Sequence, residues 1–150
     1  MRVIRKIENE AILYDLCRRS YYEQEDGLGM KLAFRHSIAL VGNLEKSTHF
    51  YKELLGLTVD QAYDTIVIFK EGFAIHDAKL YTGYAGRTYK PMEEANVVFY
   101  FVTPCIEEVY DRLRENQVSF IHEVQTQAWG EKCMRFYDPD GHIIEIGDAV

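Results

Sequence analysis

The chain has few of the residues that announce a special environment. Of its 150 residues only three are cysteine, three proline and one tryptophan. Cys17, Cys105 and Cys133 are an odd number, lie far apart and form no CxxC pair, which argues against a disulfide framework and against a zinc ribbon. Basic residues are also scarce, 17 against 24 acidic, so the formal net charge is −7 and the pI is near 5.2. A surface of that sign disfavours nucleic acid and anionic lipid, and neither is expected as a partner. No window is apolar enough to span a bilayer. Arg5 and Lys6 divide Val3, Ile4 and Ile7, so the N-terminus lacks the unbroken apolar core of a signal peptide. Together these absences predict a protein of the reducing cytoplasm.

What is present is the composition of an ordinary globular protein, 47% apolar and 27% charged. The length suits one domain, or two small similar halves sharing a core. Residues 3 to 22 place Ile4, Ile7, Ala11, Tyr14 and Leu16 at helical spacings, and "EQEDGLG" ends the pattern, so residues 1–30 read as an accessory N-terminal helix, with a partly frayed tail the alternative. From Phe34 onward the order is strand, helix and three strands, and then the same again. "FRHSIALV" alternates as a strand, and "NLEKSTHFYKELLG" is a helix with an Asn N-cap and a Gly stop. "LTVDQAY", "TIVIFKE" and "FAIHDA" follow as short strands. Residues 81–95, rich in Tyr, Gly and Thr, read as a connecting loop in which Tyr81, Tyr84, Arg87 and Tyr89 either stay in solvent, the plainer account, or line a lid. The second unit repeats the scheme with "NVVFYFV", the helix "CIEEVYDRLREN", and the strands "VSFIHEV", "EKCMRFY" and "HIIEIGD". Asp138-Pro139-Asp140-Gly141 has the form of a type I turn, which makes the last two strands a hairpin.

Glu145 interrupts the most apolar stretch near the C-terminus, among Ile143, Ile144 and Ile146. A carboxylate beside aliphatic neighbours takes up a proton, finds a cation or accepts hydrogen bonds, and the sequence leaves all three open. Strand alternation puts His36 with Ile38 and Leu40, and turns His142 to the face opposite Glu145. His49 and His122 have no evident partner. Trp129, at a loop-to-strand junction, either lines a pocket or closes the core. Cys105 and Cys133 show no base beside them, and no phosphate loop, serine elbow or HExxH stretch occurs.

The repeat, together with "FYKELLGL" and "RFYDPDGHIIEI", resembles the vicinal-oxygen-chelate superfamily: glyoxalase I, bleomycin-resistance proteins, fosfomycin-resistance enzymes and extradiol dioxygenases. The likeness covers about residues 32–148. It implies an α+β fold in a glyoxalase-like domain over residues 31–150, with two tandem βαβββ units, about 32–80 and 95–148, forming a cupped sheet. It also implies metal ligands on the first and fourth strands of each unit. Carried over residue by residue, it gives His36, His76 and Glu145 as ligands of a divalent nickel, zinc, cobalt or manganese ion, with Glu145 also the catalytic base. The first strand of the second unit departs from the pattern, because Asn96, Val97 or Val98 stands where a histidine or glutamine belongs. That departure weighs against extradiol dioxygenase activity, which needs two histidines and a carboxylate around iron. Asn96 and Trp129 become candidate pocket residues. Two functions are expected from the resemblance: a metal-dependent lyase, isomerase or transferase on a small oxygenated substrate, or a metal-free protein that sequesters a small molecule. A C2 homodimer is expected in either case, with the cup closed within one chain or between two.

Overall fold

A computed structural model describes residues 34–80, 89–91 and 95–149. The expected N-terminal helix, Cys17, Tyr81, Tyr84 and Arg87 lie outside them. The chain divides into two compact units, Met1–His36 and Ser37–Val150. No helix among the described residues is long and apolar enough to cross a membrane.

The second unit carries the repeat. Its first half consists of β1 (Ser37–Val41), α1 (Leu44–His49) continued by a π-helical turn (Phe50–Leu54), β2 (Val59–Ala62), β3 (Ile66–Phe69) and β4 (Phe73–Asp77). Its second half consists of β5 (Val98–Thr103), α2 (Ile106–Glu115), β6 (Phe120–Thr126), β7 (Lys132–Tyr137) and β8 (Ile143–Asp148). Each half forms a four-stranded mixed sheet with the same order, β1-β4-β3-β2 and β5-β8-β7-β6. In both, the first strand runs parallel to the fourth and the other pairs are antiparallel. This is the α+β arrangement of tandem βαβββ units.

Local chemistry explains the element boundaries. Asn43 caps α1, its Oδ1 accepting the Lys46 amide at 2.9 Å. Past His49 the backbone bonds lengthen by one residue, Leu55 N donating to Phe50 O at 3.1 Å, and Gly56 at φ 75° ends the turn. The β7–β8 hairpin closes through Gly141 N donating to Asp138 O at 3.1 Å, with Gly141 at φ 89°.

One core serves both halves. Ala39, Val41, Val67, Phe69, Phe73 and Ile75 of the first sheet join Met134, Phe136, Ile144 and Ile146 of the second, with Phe50, Tyr51, Leu54, Ile106 and Leu113 from the helical segments. Phe73 meets Phe99 with ring centroids 4.8 Å apart, and Phe50 meets Phe136 at 6.3 Å. A polar interlock reinforces the junction. The Asp138 side chain accepts four hydrogen bonds, from Tyr51 Oη at 2.6 Å, His142 Nδ1 at 2.7 Å, His142 N at 2.8 Å and Asp140 N at 2.9 Å. Asp140 accepts from Gly42 N at 2.8 Å, from Ser47 Oγ at 3.3 Å and from the Tyr89 hydroxyl. The turn of the second half is thus bonded to the first helix of the first half. Burial and the Asp138 carboxylate raise Tyr51 well above the ordinary phenol range, and burial together with Asp140 raises Tyr89. Tyr89, for which the sequence left a lid and a solvent-exposed loop both open, is held at this junction instead.

Candidate functional site

Strand parity sends every second residue of each sheet away from the shared core. On the first sheet these include Leu40, His76 and Ile66, which lie in one row across β1, β4 and β3. On the second sheet the corresponding row is Tyr100, Glu145 and Arg135, across β5, β8 and β7. His76 is buried, and its Nδ1 lies 3.0 Å from the Asp77 carbonyl oxygen. His142 turns to the core side, close to Phe99.

The second-sheet row is extended by a residue whose position the strand period does not foretell. Phe120 pairs with Phe136 and packs on the core side, and a plain strand would put His122 on that same side. Between them β6 carries an extra residue, so His122 instead pairs with Arg135 on the outer face. Bulges commonly re-aim a side chain in this way. The consequence is a connected chain: Arg135 Nε donates to Glu145 Oε2 at 2.7 Å, and Arg135 Nη1 reaches His122 Nε2 at 2.9 Å. A guanidinium only donates, so Nε2 is the acceptor; the His122 proton then sits on Nδ1 and donates to the Glu123 carbonyl at 2.8 Å. His122 is therefore the neutral imidazole in this arrangement.

The ion pair is half-buried, with 30% of the Arg135 side chain and 20% of the Glu145 side chain exposed. The Glu145 hydrogen bond pushes the guanidinium above its already high range. Neither Arg135 Nη2 nor Glu145 Oε1 is spent in these bonds, so one donor and one acceptor of the pair remain uncommitted. Tyr100 lies across Gly147: a Cβ at that glycine would fall 2.6 Å from the Tyr100 Oη. Only glycine leaves room for the ring, a common reason for glycine within a strand. Val98, Tyr100 and Val102 are exposed along the edge strand β5, as is Ile38 on the edge strand β1.

Of the residues expected as metal ligands, His76 and Glu145 do not face one another within the second unit. Among the described residues no three His, Cys, Asp or Glu side chains cluster as a metal site. The physical reason within the second unit is that both sheets turn one face to a single core, so the faces bearing His76 and Glu145 both point away from it. Nor does the surrounding of Glu145 fit a divalent ion in one chain. One carboxylate oxygen is held by a permanent cation, and its β5 neighbour is Tyr100 where a nitrogen or carboxylate donor would be needed. Asn96 is exposed just before β5. Trp129 is 64% exposed and donates from Nε1 to Glu131 at 2.9 Å, so it closes no core. Cys105 and Cys133 are free thiols, and burial raises Cys133 above its ordinary range.

The family model described as Glyoxalase-like domain matches residues 34–150. The chain belongs to that family. A curated relative, a glutathione transferase FosA from Serratia marcescens, is 28% identical over 121 residues, 78% of this chain and 81% of the relative. A solved protein of unknown function from Agrobacterium tumefaciens superposes with a TM-score of 0.74 at 30% identity, over 83% of this chain and 100% of its own. A lactoylglutathione lyase from the same organism has a TM-score of 0.57 at 17% identity, over 84% and 96%, a likeness of fold alone.

Proposed function

We propose that this glyoxalase-like protein binds a small oxygen-rich molecule on the outer face of its second sheet, without a metal held by a single chain. The observation that carries the reading is the His122–Arg135–Glu145 chain. It fixes the guanidinium by two hydrogen bonds and leaves a donor on Arg135 and an acceptor on Glu145 uncommitted. A ligand oxygen would accept from Arg135 while a neighbouring hydroxyl or amide donates to Glu145. Tyr100 and the β5 valines supply the apolar wall such sites use to bury the rest of a ligand. A second copy of the chain, docking on the exposed apolar edges, would close the cup and exclude water.

A second reading keeps the metal. In it Glu145 of one copy would meet His36 and His76 of another around a divalent ion, and the relationship to a glutathione transferase supports a transferase chemistry for such a site. The ion would then act as a Lewis acid on substrate oxygens. Arg135 would have to release the Glu145 carboxylate first.

One experiment separates the readings. Metal-stripped protein is melted with nickel, zinc, cobalt and manganese, alone and with a panel of hydroxy acids, hemithioacetals and epoxides, beside Glu145→Gln and Arg135→Gln. Metal-independent midpoint rises lost in Arg135→Gln support the first reading. A saturable rise with metal alone, absent in Glu145→Gln, overturns it in favour of the second.

A further inference from the structure

A cleft of about 440 Å³ opens on a different part of the second unit, and it shares no residue with the His122–Arg135–Glu145 row. Its walls come from α1 and its π-helical turn, from the end of α2, and from the β7–β8 turn. Two of these segments depart from regular backbone here. The π-helical turn carries Phe50 and Leu54 into the wall, and Gln117 holds a left-handed φ of 56° without being glycine. The α2 cap explains the Gln117 conformation, with its amide donating to Arg114 O at 3.0 Å and the Val118 amide to Leu113 O at 3.1 Å.

The chemistry of the lining is asymmetric. Phe50, Leu54 and Val118 give an apolar floor, while Lys46 and His49, one helical turn apart, stand over it. Neither of these two side chains makes a hydrogen bond or ion pair among the described residues, whereas the neighbouring Lys52 is paired with Glu53 at 2.8 Å. An unpaired basic corner is unusual in a chain of net charge −7. Asp138 borders the same cleft, but its carboxylate is already saturated by four donors and does not compete for the lysine. Apolar floor, converging polar groups and a volume within the usual range for small ligands are what a binding cleft needs.

We infer that this cleft is a second binding site, specific for a small organic anion with a flat apolar body. The anionic group meets Lys46 and His49, and the flat body lies on Phe50, Leu54 and Val118. The inference is independent of the reading given to Glu145 and Arg135.

Phenyl phosphate serves as the probe, inorganic phosphate as the charge without the ring and benzyl alcohol as the ring without the charge. Amide shifts are followed by NMR in the full chain. The expected result is saturable perturbation of residues 46–54 and 116–119, with binding weakened about tenfold in Lys46→Ala. Arg135→Gln should leave it unchanged, and either half-probe should bind about tenfold more weakly. Lys46 is exposed, so its loss does not threaten folding. Absence of saturable shifts at these amides overturns the inference. So does binding that persists in Lys46→Ala, or shifts centred on Arg135 and Glu145.

Discussion

Tyr51→Phe removes one oxygen and tests how strongly the two halves are bolted together. Tyr51 belongs to the helical segment of the first half, and its hydroxyl donates at 2.6 Å to Asp138 in the turn of the second. The Asp138 side chain is wholly inaccessible to solvent, so water cannot replace the lost donor. A hydrogen bond to a buried charge contributes roughly 1.5–3 kcal/mol, and in a chain of this size that lowers the melting midpoint by roughly 3–12 °C. Asp138→Asn keeps an oxygen for the two backbone amides but turns donors toward Tyr51 and His142, at a cost of roughly 2–4 kcal/mol. If the two residues act on each other, the double variant is less destabilised than the sum, with a coupling of about 1–3 kcal/mol. Urea unfolding of the four proteins, followed by circular dichroism with a common m-value, measures this directly. Additivity within about 0.5 kcal/mol would refute the idea that this contact couples the halves.

Three other outcomes are expected from the same structure. Tyr51 and Tyr89 both have raised pKa values in the folded state, so their contribution is intact below an unfolded value of about 10 and is lost as pH rises beyond it. Stability should therefore fall above that pH, and Tyr51→Phe or Tyr89→Phe should flatten the alkaline limb of a pH–stability curve. Gly147→Ala forces aside the exposed end of Tyr100 and should cost under about 1 kcal/mol, whereas in a Tyr100→Ala background the same change should be neutral or stabilising. Arg135→Gln breaks a half-buried ion pair and should cost about 1 kcal/mol in urea unfolding while abolishing ligand-induced melting shifts. A loss of binding without any stability change would show that the pair serves the ligand alone.

The fold was legible because its signals are local. Asn43 and Gly56 bracket a helix by side-chain size and hydrogen-bonding capacity, and Asp138 through Gly141 specify a turn within four residues. The parity of Ile144 and Ile146 against Glu145 needs only the period of a strand. The site is less local. That Glu145 rests on Arg135 depends on the register of β7 against β8, which no count along one strand supplies. His122 is harder still, since its period matches that of Phe120 and only the extra residue in β6 brings it out. That His76 and Glu145 do not face one another within one chain is hidden for a related reason: face alternation shows that both leave the core, but not that the two sheets share that core. Trp129 looked like a candidate for the interior on chemistry alone, yet a single hydrogen bond to Glu131 leaves its ring in water.

The extra residue between Phe120 and His122 makes the polar chain of the outer face depend on the register of β6 against β7. Slipping the ladder so that Ile121 itself stood opposite Arg135 would restore the simple alternation, turn the imidazole of His122 toward the dry interior and leave Arg135 with Glu145 alone. Deleting Ile121 would instead set His122 directly after Phe120, still opposite Arg135, and keep the chain. Evolution of this scaffold therefore has a discrete path between a three-membered polar face and a bare ion pair, one that proceeds by a change of register with no exchange of chemical type.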